Sequence, residues 1–189
     1  MTLRKKKLTQ QSKGKLNQGS KQIIGAAINH RFVADFSDLF EIAGLGKFVC
    51  KQKLSFEAAY ERGYLAGDQV DDLLIGHIGT GTLIFSFEFF ANDELIERIS
   101  RSFDVLNFYL NPALDQANLR ISTRGTVVRD NYSDEQLSEI GSPTTIEILE
   151  PNPFNAIIKS IDEYLNVDFK KLKSEQLEIY KRKSRLKFW

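Results

Sequence analysis

The side chains that could carry chemistry in this chain are few. It holds one cysteine, Cys50, and two histidines, His30 and His77. A single thiol excludes an internal disulfide framework and every multi-cysteine zinc or iron–sulfur site, and two histidines leave little for a histidine-based metal centre. No metal site and no cofactor is expected. A Cys50 nucleophile needs a histidine beside it in space. The alternation of its segment sets Cys50 with Phe48, which reads as a small buried core thiol.

Carboxylates and arginines offer more. Glu88 interrupts a run of phenylalanines, and on an extended strand it would share a face with Ser86. Arg120, Ser122 and Arg124 would form the matching face of a later strand. Were the two strands neighbours, Glu88, Arg120 and Arg124, with His77 close by, would be the most defensible catalytic centre. The plainer reading, a half-solvated sheet face, is favoured. The glycine cluster GHIGTG at 76–81 could bring backbone amides to a phosphate. It is followed by an apolar extended run rather than by a helix, so the helix N-terminus that completes such a site is missing. GLGK at 44–47 lacks the upstream glycine of a phosphate loop and carries Phe48 where a hydroxyl is needed. No GxSxG elbow, HExxH helix or calcium-loop spacing occurs.

Cationic residues are the most unevenly distributed. Residues 1–22 hold seven lysines and arginines and no acid, residues 170–189 hold eight against two acids, yet the net charge is only +1. An acidic body therefore lies between two basic ends, a pattern that points to nucleic acid or to an acidic partner surface. The first run comprises Arg4, Lys5, Lys6, Lys7, Lys13 and Lys15. In the second, Lys181, Arg182, Lys183, Arg185 and Lys187 are interleaved with Phe188 and Trp189, and cations neutralise phosphates while aromatic rings stack on bases.

These residues must be positioned by a body of 189 residues with 42% hydrophobic content, enough for one domain. Residues 1–20 are too polar to bury much surface and read as a flexible basic arm. Helical spacing at 21–32 and a second short helix through Leu39, Phe40 and Ile42, capped by Asp35 or Ser37 and stopped by Gly44 or Gly46, are followed by a strand at 47–54. Ser55 caps a helix ending near Gly67, with a further helical turn or two over 68–75. A core strand spans 80–90. Asn92 caps a helix whose apolar face runs through Leu95, Ile96, Ile99, Phe103, Leu106 and Leu110. Strands are expected at 119–130, with Gly125 as a bulge, and at 144–150. Pro153 opens a helix, and a charged helix covers 168–183.

The expected fold class is α+β. A single domain (21–167) holds a roughly four-stranded mixed or antiparallel sheet with helices mainly on one face, followed by a basic C-terminal helix and tail (168–189). No run of 18 apolar residues suggests a transmembrane helix, and no leader is evident, so the cytoplasm or an intracellularly assembled particle is the expected location. The favoured function is a non-enzymatic binding or scaffold subunit of a nucleoprotein or virion-like assembly. Its basic ends would contact nucleic acid or neighbouring subunits, including copies of itself. The alternatives are a small enzyme acting on nucleic acid or nucleotides through the polar sheet face, and a membrane-surface adaptor.

Overall fold

The computed structural model describes residues 21–32, 35–66, 72–132 and 138–183. The expected flexible arm, with Arg4, Lys5, Lys6, Lys7, Lys13 and Lys15, lies outside them, as do Arg185, Lys187, Phe188 and Trp189.

One open sheet of eight strands, all antiparallel, organises the described chain: β1 (Ile23–Ile28), β2 (Phe48–Ser55), β3 (Asp72–Ile78), β4 (Gly81–Phe85), β5 (Val105–Asn111), β6 (Gln116–Thr123), β7 (Thr126–Asp130) and β8 (Gln176–Arg182), in the spatial order β2-β8-β3-β4-β1-β5-β6-β7. Six helices accompany it: α1 (Ser37–Ile42), α2 (Phe56–Glu61), α3 (Phe87–Ala91), α4 (Asp93–Ser100), α5 (Thr145–Leu149) and α6 (Pro153–Leu165). The expectation of about four strands with helices mainly on one face is thus corrected. One core packs Phe56 and Ala59 of α2 and Ile157, Ile161 and Leu165 of α6 against Ala27, Leu83, Phe85 and Phe108. A second core, on the other face, packs Leu39 and Phe40 of α1, Phe89 of α3 and Leu95, Ile96 and Ile99 of α4 against Ala26, Ile28, Ile75 and Ile84.

Covering both faces explains three of the other corrections. A strand buried on both sides loses the apolar–polar alternation that marks a half-exposed strand, and its sequence becomes a short apolar run indistinguishable by period from a buried helix. Residues 23–28, IIGAAI, form such a strand, buried from Ile24 onward, where a helix is expected. Of the helical turns expected over 68–75, residues 68–71 lie outside the described residues and 72–75 belong to β3, and the apolar face expected to extend one helix to Leu110 is divided, α4 ending at Ser100 and β5 carrying Leu106 and Leu110.

Local signals redirect the chain elsewhere. The strand expected over 80–90 stops at Phe85 because the Ser86 hydroxyl accepts the Glu88 amide and starts α3. The strand expected over 119–130 is a hairpin. Arg124 and Gly125 both take positive φ, 52° and 76°, as a two-residue turn of type I′ requires, so Gly125 turns the chain rather than bulging it. At 144–150, Thr144 and Glu147 close a reciprocal capping box and make α5 a helix instead of a strand. The expected basic C-terminal helix is a 3-10 turn at 169–174 followed by β8, an interior strand between β2 and β3. The GHIGTG cluster is the β3–β4 hairpin. Gly79, at φ 55°, packs so closely on the end of α6 that a Cβ would collide with the Leu165 carbonyl, and the Thr80 amide donates to that same carbonyl at 2.8 Å.

Candidate functional site

The four residues singled out for a catalytic centre are placed apart. His77 lies on β3 and stacks on Phe36 with ring centroids 4.5 Å apart. Its Nδ1 is buried without a hydrogen-bond partner, and burial together with the nearby Arg31 charge lowers its pKa, against an opposing pull from Glu178. Glu88 sits in the first turn of α3, not on a strand, with a carboxylate oxygen 3.6 Å from Arg182. Arg124 is exposed on the β6–β7 turn. Arg120 occupies β6 and belongs to a different group of side chains. The expected face of Ser86, Glu88, Arg120, Ser122 and Arg124 does not form, because the chain leaves the sheet at Ser86. Cys50, expected in the core, is exposed at the irregularity of β2 between Cys50 and Gln52; partial burial of the sulfur and the Glu178 carboxylate raise its pKa, which disfavours the thiolate a nucleophile needs.

Around Arg120 the structure builds a cleft of about 470 Å³. Register pairing sets Tyr109 beside Asn118 and Arg120 beside Asp130, so the three strands β5, β6 and β7 lay a polar floor on the face that carries α3 and α4. Phe87, Ala91 and Asp93 form the wall and Tyr132 stands at the rim. Arg120 Nε donates to Asp130 Oδ2 at 2.8 Å and its Nη1 to Asp93. Burial opposes its charge, but the two carboxylates outweigh that and its pKa rises. Asp130 Oδ1 in turn accepts the Tyr132 amide at 3.0 Å, so one carboxylate fixes both the arginine and the rim.

The basic C-terminal run enters at the opposite end of the sheet, with part of its charge compensated. Lys181 pairs with Asp72 at 3.0 Å, Lys53 of β2 with Glu178 at 2.5 Å, and Arg182 reaches Glu88 while lying 5.6 Å over the Phe48 ring. Lys47, Lys51 and Lys183 are exposed and have no acidic partner within ion-pair distance among the described residues. The Lys183 amide donates to the Lys47 carbonyl at 2.9 Å, which brings two of these lysines together where β2 and β8 meet. Residues 184–189, with Arg185, Lys187, Phe188 and Trp189, continue the chain from this corner.

One charged group has no counterpart among the residues singled out from the sequence. Arg129, only 4% exposed, donates to Glu147 and Glu139 and to the carbonyls of Asp130, Ile140 and Gly141, tying β7 to α5 and the segment before it. Burial raises the Glu147 pKa, but the Arg129 bonds and the Thr144 cap outweigh it and the net shift is downward. The Thr144-x-x-Glu147 spacing was the available signal. Among the described residues no three His, Cys, Asp or Glu side chains are grouped to hold a metal ion, and no helix is long and apolar enough to cross a membrane. Compared with protein-family models, with curated proteins and with solved structures, the chain matches none.

Proposed function

We propose that the protein is a non-enzymatic binding subunit that holds nucleic acid by its phosphates along the β2–β8 edge, as a component of a nucleoprotein assembly. The observation that carries this reading is the exposure of Lys47, Lys51 and Lys183 without acidic partners among the described residues, next to the partly compensated Lys181 and Arg182. Uncompensated ammonium groups on and just beyond a strand pair attract a polyanion, release its counterions on binding and read no sequence. The rest of the C-terminal basic run, Arg185 and Lys187 with Phe188 and Trp189, is attached at the same corner and would add charge and stacking surface. Lysines also protect a sheet edge from pairing with another strand. Both roles are served by the same side chains, and only the first predicts affinity.

The test is fluorescence anisotropy of labelled single- and double-stranded oligonucleotides across a salt series. It compares the full chain with the Lys47→Glu/Lys51→Glu/Lys183→Glu variant and with a chain ending at Lys183. A deeper truncation would remove β8 itself. The triple variant is expected to bind at least about tenfold more weakly at low salt, with a salt slope for single strands reduced by about 0.7 for each phosphate no longer neutralised. Equal affinity of the triple variant and the parent overturns the proposal, as does binding to anionic lipid vesicles with none to oligonucleotides.

A further inference from the structure

The cleft at the other end of the sheet has a chemistry that the basic edge does not use. We infer that it binds a neutral planar nitrogen heterocycle bearing adjacent hydrogen-bond donors and acceptors, the chemistry of a nucleoside base.

Three observations converge on this ligand. The volume, about 470 Å³, lies in the range that encloses a small organic molecule. Phe87, 56% exposed, lines the cleft and offers aromatic surface to a flat ligand. The floor carries the Asn118 amide, which both donates and accepts, and the Arg120 guanidinium, whose Nη2 has no partner among the described residues. Two carboxylates already hold Arg120, so it presents that remaining donor in a fixed orientation and needs no reordering when a carbonyl or ring nitrogen arrives.

Charge separates the base from its competitors. Arg120 with Asp130 and Asp93 sums to one negative charge, and the Asp93 side chain is 79% exposed at the wall. A phosphate or carboxylate ligand would meet that carboxylate, whereas a cation would have to compete with Arg120 for the same two acids. A neutral ring meets neither obstacle. The inference stands apart from the basic edge, since it uses none of the lysines there.

Isothermal titration calorimetry of the full chain with adenosine, guanosine, cytidine and uridine tests it, with the corresponding 5′-monophosphates and benzamidine as charged planar controls. At least one nucleoside is expected to saturate the protein in the millimolar range or below, and its monophosphate to bind no more tightly. Phe87→Ser and Asn118→Ala, both at positions open to the cleft, should each weaken that nucleoside by about tenfold, while the Lys47→Glu/Lys51→Glu/Lys183→Glu variant leaves it unchanged. No saturation by any nucleoside, tighter binding of a monophosphate or of benzamidine, or affinity indifferent to Phe87 and Asn118 would each overturn the assignment.

Discussion

The two ends of the sheet use the same ion-pair chemistry under opposite solvation. At the β2–β8 end the cations are exposed, Lys53 at 64%, Lys181 at 53% and Arg182 at 48%. At the β6–β7 end the Arg129 side chain is 5% exposed and that of its partner Glu147 11%. Exposed pairs contribute little because water screens them and long side chains must be ordered to form them. A buried pair forfeits hydration that only its partners replace, so removing one partner leaves the other uncompensated. Cation–carboxylate pairs therefore build a staple at one end and a charged surface at the other.

The most forceful attempt to break this contrast is Arg129→Met against Lys53→Met. Removing Arg129 should cost about 3 kcal/mol or more in urea unfolding, because Glu147 and three carbonyls lose a buried donor, whereas Lys53→Met should change stability by no more than about 1 kcal/mol. Comparable losses in the two variants would erase the distinction between the ends. Acid titration sharpens it next. The folded pKa of Glu147 lies below its ordinary 4.5, so its stabilisation is complete above pH 4.5 and disappears as the pH falls through the lower folded value. Glu147→Gln should flatten the acid limb of the stability curve more than Glu178→Gln does, since Glu178 sits at the exposed end; thermal unfolding between pH 3 and 6 in roughly unit steps reads the difference.

His77, on β3 next to β8, supplies a smaller effect. Its lowered pKa means that the unfolded chain takes up a proton more readily, so stability is full above pH 6.5 and declines as the pH drops below it. His77→Phe should remove that decline and, by deleting an unpaired buried nitrogen while keeping the stack on Phe36, leave the protein at least as stable, with a gain of about 1 kcal/mol at most. A loss of stability above pH 7 in this variant would show that Nδ1 has a partner. The smallest effect concerns Cys50. Cys50→Ser should leave stability within about 0.5 kcal/mol of the parent, and a bound oligonucleotide should slow reaction of Cys50 with a maleimide if the neighbouring lysines hold the phosphates.

How far the fold could be read in advance follows from the range of the interactions involved. Ser55 and Asn92 cap their helices through amides three residues on, and Pro153 occupies the first turn of α6, so sequence alone places these starts; the Asn152 cap of α6 is seen only in the structure. The same local logic applies to Thr144 with Glu147 and to Arg124 with Gly125, whose short-range bonds close a cap and a turn where strands are expected. β8 is the opposite case. Glu178 and Arg182 have the i, i+4 spacing of a helical ion pair, yet their partners are Lys53 and Glu88. Nothing in residues 176–182 alone announces those pairings.

The candidate site divides in the same way. Its cationic composition, the lone cysteine and the paucity of histidines are properties of the chain's composition, and they bound the chemistry before any folding is considered. Which cations are compensated is a matter of cross-strand register: Lys181 meets Asp72 and Arg120 meets Asp130 only because β8 pairs with β3 and β6 with β7. Turns and caps were determined by the sequence itself because their hydrogen bonds close within a few residues. Strand order, two-sided burial and the partnering of charge were decided only in the tertiary structure, because they depend on segments far apart in the chain whose attraction exceeds local preference once both faces of the sheet are covered.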